Sequence, residues 1–132
     1  MKKFVSFRPT GILIAVLALA LFAAGAGLAA NAFGKPKTVI HVVTIKWAQG
    51  ATPEQIKAAI DGVEKVAGQY AGIKNVWTKA VKVQGAGYTH AVVMEFASEK
   101  ALEDYTGSDA QKEWYKVYLP IRGESTTHDI TN

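Results

Sequence analysis

The 132-residue chain has 15 Lys and Arg against 11 Asp and Glu, a formal net charge of +4, but the excess lies at the front. Lys2, Lys3 and Arg8 precede every acid, so from Phe33 onward 12 basic residues face 11 acidic ones and the net charge falls to +1. A nucleic-acid footprint is excluded, because Lys57, Lys65, Lys74, Lys79 and Lys82 are spread among acids and not clustered with aromatics; the lack of cysteine excludes disulfides and a cysteine-linked lipid.

The first element is a leader. Behind its basic residues the stretch from Gly11 to Ala32 carries no charge, and Ala30-Asn31-Ala32 has the small-residue pattern of an export cleavage site. Residues 1–32 therefore read as a signal peptide, cut after Ala32 or Ala30, that sends the protein to the periplasm or out of the cell. Because roughly 20 apolar residues span a bilayer, the alternative is an uncleaved inner-membrane anchor over residues 11–32. A membrane is a partner only in that case. Residues 33–37 form a linker, and 38–132 are enough for one small domain with a single core.

Thr38 to Trp47, rich in Val, Ile and Thr, predicts a strand with His41, Val43, Ile45 and Trp47 on one face. Thr52, Pro53 and Gln55 then form an N-cap, a first helical position and a capping-box partner. Ile56, Ala59, Ile60, Val63, Val66 and Ala67 continue at helical spacing to about Tyr70, and Gly72 ends the helix. Ile73 to Gln84 predicts a second strand, joined through Gly85-Ala86-Gly87 as a hairpin to a third, Tyr88 to Ala97, whose His90, Val92, Met94 and Phe96 share a face. Ser98 caps a second helix, Gly107 interrupts it, and a further stretch from Asp109 to Tyr118 presents Trp114, Tyr115 and Tyr118. Pro120 breaks that stretch, and Glu124 to Thr131 predicts a polar last strand.

The order βαββαβ is the ferredoxin-like plan of the α+β class, a four-stranded antiparallel sheet with helices on one face. The opposite face holds Ile40, Val42, Val76, Ala91 and Val93, too apolar to stay wet. A second copy packed sheet to sheet covers it, which predicts a homodimer using one patch twice. On the helix side, His41 and His90 stand at the starts of two apolar stripes, where an imidazole needs a partner or a use. Val43, Ile45, Trp47, Val63, Val92, Met94 and Trp114 are the candidate lining of a pocket there. The plain structural alternative is that each ring satisfies a carbonyl or hydroxyl and that the aromatics, Trp77 included, are core. His128 is a third imidazole, but no Cys or tight His/Asp/Glu spacing completes a ligand set, so neither metal nor cofactor is expected.

Strand one with His41, the run Gly87-Tyr88-Thr89-His90, Glu95-Phe96 and Leu102-Glu103-Asp104-Tyr105 together resemble the stress-responsive dimeric A/B barrel (Dabb) domain, from about Val39 to Ile130. The resemblance implies a dimeric α+β barrel and little about chemistry. One branch, plant olivetolic acid cyclase, closes a polyketide by aldol condensation between sheet and helices; the likeness carries its tyrosine onto Tyr105 and its strand histidines onto His41 and His90. Its base histidine falls on Gln111, whose neutral amide takes no proton near neutral pH, and a pocket tyrosine falls on Val63. Two readings follow. One is an exported homodimer of unknown activity that binds a small apolar or amphipathic molecule. The other is a small-molecule lyase, cyclase or monooxygenase-like enzyme using Tyr105 with His41 or His90 as acid and base.

Overall fold

The computed structural model describes residues 34–132, and the expected leader lies outside the described residues. Among the described residues no helix is long and apolar enough to cross a membrane. Strand β1, Val39–Trp47, leads through Thr52 into helix α1, Pro53–Gln69. Here the capping box closes in both directions, with Gln55 N donating to Thr52 Oγ1 and Thr52 N donating to Gln55 Oε1. Strands β2, Ile73–Trp77, and β3, His90–Phe96, follow. The second helical region is split at Gly107 into α2, Glu99–Tyr105, and α3, Asp109–Tyr118, and a single 3₁₀ turn with Pro120 feeds strand β4, Arg122–Ile130.

The four strands form one antiparallel sheet in the order β2-β3-β1-β4, so β1 and β3 are central and β2 and β4 are outermost. Val43, Ile45, Val92, Met94 and Phe96 meet Val63 and Val66 of α1 and Tyr105, Trp114 and Tyr118 of the split helix in the core. Gly62 brings α1 and α3 together, since a Cβ there would stand 2.7 Å from Trp114 Cδ1. Beside it Trp114 Nε1 donates to the Ala59 carbonyl at 2.8 Å, so the buried indole is satisfied.

Three expectations are corrected. Strand β2 stops at Trp77 and not at Gln84, because beyond Trp77 the chain leaves its partner strand and turns toward α1, where Thr78 Oγ1 donates to Glu64 Oε1. The connection to β3 is thus a long loop, residues 78–89, and not a tight turn. A register shift between Ile73 and Asn75 leaves Lys74 unpaired, a bulge that breaks strict alternation. Val76 consequently pairs with Met94 on the helix side, and Trp77, paired with Val93, lies half exposed on the outer face. Finally, β4 begins at Arg122, two residues early, with Gly123 as the extra residue opposite the Lys46–Trp47 step.

Candidate functional site

The antiparallel ladder decides where the histidines go. His41 stands opposite Met94 and His90 opposite Ile45, so the two rings are four residue steps apart along β1, about 13 Å at about 3.3 Å per residue. Both open their stripes in sequence, but antiparallel neighbours start at opposite ends. Each ring is engaged by protein. His41 Nδ1 donates to Asp129 Oδ1 at 2.6 Å, across the β1–β4 ladder, while His90 Nδ1 accepts from Trp47 Nε1 at 2.9 Å. His128 pairs with Val42 and so faces away from His41. Among the described residues no group of three His, Cys, Asp or Glu is placed to hold a metal ion.

Around His41 the sheet and the split helix enclose a cavity of about 220 Å³. Its polar lining includes His41 on β1, Tyr105 at the end of α2, Gln111 and Tyr118 on α3, and Arg122 and Ser125 on β4. Tyr105 is 2% exposed and its hydroxyl has no hydrogen-bond partner; Tyr118 is 3% exposed, and its hydroxyl has Ser125 and Arg122 beside it without a well-formed hydrogen bond. Burial pushes the Tyr105 phenol well above its usual range; burial raises Tyr118 also, opposed by Ser125 and Arg122 nearby. Both phenols are therefore held as neutral O–H donors. The Arg122 guanidinium lies 5.9 Å over the Tyr118 ring and adds a cation to the wall.

His41 complements these donors. Because a carboxylate only accepts, Nδ1–H points at Asp129, which leaves Nε2 as the ring nitrogen not engaged by that bond. Gln111 has a local task instead: its Oε1 accepts from Gly107 N at 2.7 Å, while its backbone N–H donates to the N-cap Ser108 Oγ at 3.2 Å. The amide thus closes the turn that splits the helix, a job for which the sequence at that position is well suited. What the site assembles is a small pocket with an unpaired tyrosine hydroxyl, a second buried phenol, a cation and a carboxylate-oriented imidazole.

Of the sequence-derived lining residues, Val43 and Trp114 border this cavity. Ile45, Val63, Val92 and Met94 are fully buried in the core and border neither this cavity nor the recess beside His90, and Trp47 is occupied in holding His90. Asp129, Arg122 and Thr127 were missed by sequence reasoning. Alternation along β4 does put Ser125, Thr127 and Asp129 on one face, but a strand without an apolar stripe gives no sign of which face is inside.

A family model described as Stress responsive A/B Barrel Domain (Dabb) matches residues 39–132. No curated protein matches the chain. Among solved structures, a protein of Arabidopsis thaliana is 23% identical over 71% of this chain and 94% of its own, with a TM-score of 0.61. A hydroxynitrile lyase from Passiflora edulis is 20% identical over 72% of this chain and 93% of its own, TM-score 0.63. A dimeric ferredoxin-like protein of unknown function from Thermobifida fusca is 16% identical over 76% of this chain and 95% of its own, TM-score 0.63. At these identities the likenesses establish the ferredoxin-like fold.

Proposed function

The chain belongs to the stress responsive A/B barrel domain family, and on that footing we propose that it is an exported homodimer that binds a small amphipathic molecule in the His41 cavity. The observation that carries the binding is the buried, unpartnered hydroxyl of Tyr105, a residue that lines the cavity together with Tyr118. A buried donor left unsatisfied costs about 1–3 kcal/mol, and a ligand oxygen accepting from Tyr105 relieves it. At about 220 Å³ the cavity is smaller than the roughly 300–1,000 Å³ of drug-sized sites. The ligand is accordingly small, with an oxygen-bearing head toward the tyrosines and an apolar body against Val43, Leu102 and Trp114.

The dimer rests on the outer sheet face, where Ile40, Val42, Ala91 and Val93 sit beside the half-exposed Trp77. The fold neighbour from Thermobifida fusca is described as dimeric, which supports the same arrangement here. Export rests on the basic start and uncharged run of residues 1–32.

A second reading is favoured by the His41–Asp129 pair. An imidazole oriented by a carboxylate at 2.6 Å, on the wall that Tyr105 also lines, is an acid–base arrangement, with His41 Nε2 taking a proton and Tyr105 donating one. His90 has no share in it, since it lies at the other end of the sheet. The hydroxynitrile lyase among the fold neighbours makes an α-hydroxynitrile the first substrate to try.

Native mass spectrometry of the protein from its own host separates these readings. The expected species has twice the monomer mass and carries a small molecule that the double variant Tyr105→Phe/Tyr118→Phe loses. A ligand-free monomer overturns the proposal. Turnover of an α-hydroxynitrile that disappears in Asp129→Asn, with the dimer intact, would favour the enzyme.

A further inference from the structure

We propose that the recess beside His90 is a second ligand site, specific for the carboxylate end of a short-chain amphipathic acid. The recess, about 490 Å³, opens where the 78–89 loop leaves the sheet and passes the first turns of α1. Its floor is apolar, from Ile56 and Ile60, and its polar lining is formed by His90, Lys79, Lys57, Thr78 and Thr89. It shares no lining residue with the His41 cavity.

The chemistry of His90 sets the polarity. An indole N–H can only donate, so the 2.9 Å bond from Trp47 Nε1 makes His90 Nδ1 an acceptor, and the neutral ring carries its hydrogen on Nε2. Thr89 Oγ1 also stands 2.9 Å from the same Nδ1, and its rotatable hydroxyl donates to the acceptor that the indole bond defines. Nε2–H is thereby the ring atom left for an outside partner, and it is a donor. Lys79 forms no ion pair with any described residue, whereas Lys57 is partly compensated by Asp61 at 2.5 Å. Neither Asp nor Glu lines the recess, so every charge there is positive. A donor edge and a free ammonium above an isoleucine floor are complementary to a carboxylate joined to a short alkyl or aryl body. An alcohol of the same length matches the floor but not the charge.

The test is calorimetric titration of the full chain with octanoate, 1-octanol and octylammonium. Octanoate is expected to bind, with the alcohol at least about tenfold weaker and the amine weaker still, tenfold being about 1.4 kcal/mol. Lys79→Gln, an exposed change, should weaken octanoate about fivefold while leaving 1-octanol unchanged, about the worth of one exposed charge. In nitrogen-detected NMR, octanoate should shift His90 Nε2 and the Trp47 indole. Tyr105→Phe should leave octanoate binding unaltered, so the two sites fail separately. The proposal is overturned if octanoate does not bind at millimolar concentration, if acid and alcohol bind alike, or if octanoate moves the Tyr105 and Tyr118 resonances in place of His90.

Discussion

A tyrosine hydroxyl that is buried and unpaired, as in Tyr105, burdens the free protein and serves only a bound one. Tyr105→Phe is expected to leave the unliganded domain as stable or up to about 1 kcal/mol more stable in urea denaturation, while removing the retained ligand. The same residue predicts an alkaline limb. Its folded pKa lies above the ordinary value of 10, so stability is intact below pH 10 and falls above it, where the unfolded chain releases a proton that the folded chain keeps. The slope is about 1.4 kcal/mol per pH unit for one such group. Tyr118 acts in the same direction, so Tyr105→Phe should flatten the decline between pH 10 and about 11 without abolishing it. His41 and Tyr105 could be singled out from sequence and from the family resemblance. Asp129 could not, because it lies 88 positions from His41 and meets it only through the β4 register. Nor could the separation of the histidines, which depends on strand direction and not on pattern.

At the level of elements, caps and breakers were legible: Thr52 with Gln55, Ser98, Gly107 and Pro120 fall at the observed boundaries. Strand alternation gave the core faces of β1 and β3 correctly. It failed where a bulge intervened, since one unpaired residue at Lys74 reverses every later side chain of β2. The second bulge supports the His90 end of the molecule. Gly123 packs against the β1 backbone, where an added Cβ would lie 2.8 Å from the Lys46 carbonyl oxygen and 2.9 Å from Trp47 C. Backbone cannot yield as a side chain does. Gly123→Ala is therefore expected to cost about 1–3 kcal/mol in urea denaturation and to speed hydrogen exchange at the Trp47 indole, whose bond to His90 depends on that step. Unchanged exchange would separate the bulge from the Trp47–His90 contact.

For the whole molecule the outer sheet face makes the sharpest demand. Val42→Lys places a charge in the middle of the apolar patch while projecting away from the core, so the monomer should still fold. Light scattering on the variant is expected to give half the mass of the parent with an unchanged circular dichroism spectrum. A variant that stays dimeric would show that another surface holds the pair.

The two outermost strands carry a different consequence. An open strand with free backbone groups is a template for further chains, and a nine-residue strand such as β4 offers a long one. Its exposed residues on the two faces include Arg122, Glu124, His128 and Asp129, and its register shifts at Gly123; the opposite outermost strand has only five residues, one of them the bulged Lys74. Charge, register shift and shortness all disfavour sticking side by side. The domain can thus keep one greasy sheet surface without growing into fibrils, which matters for a chain with no disulfide to hold it shut.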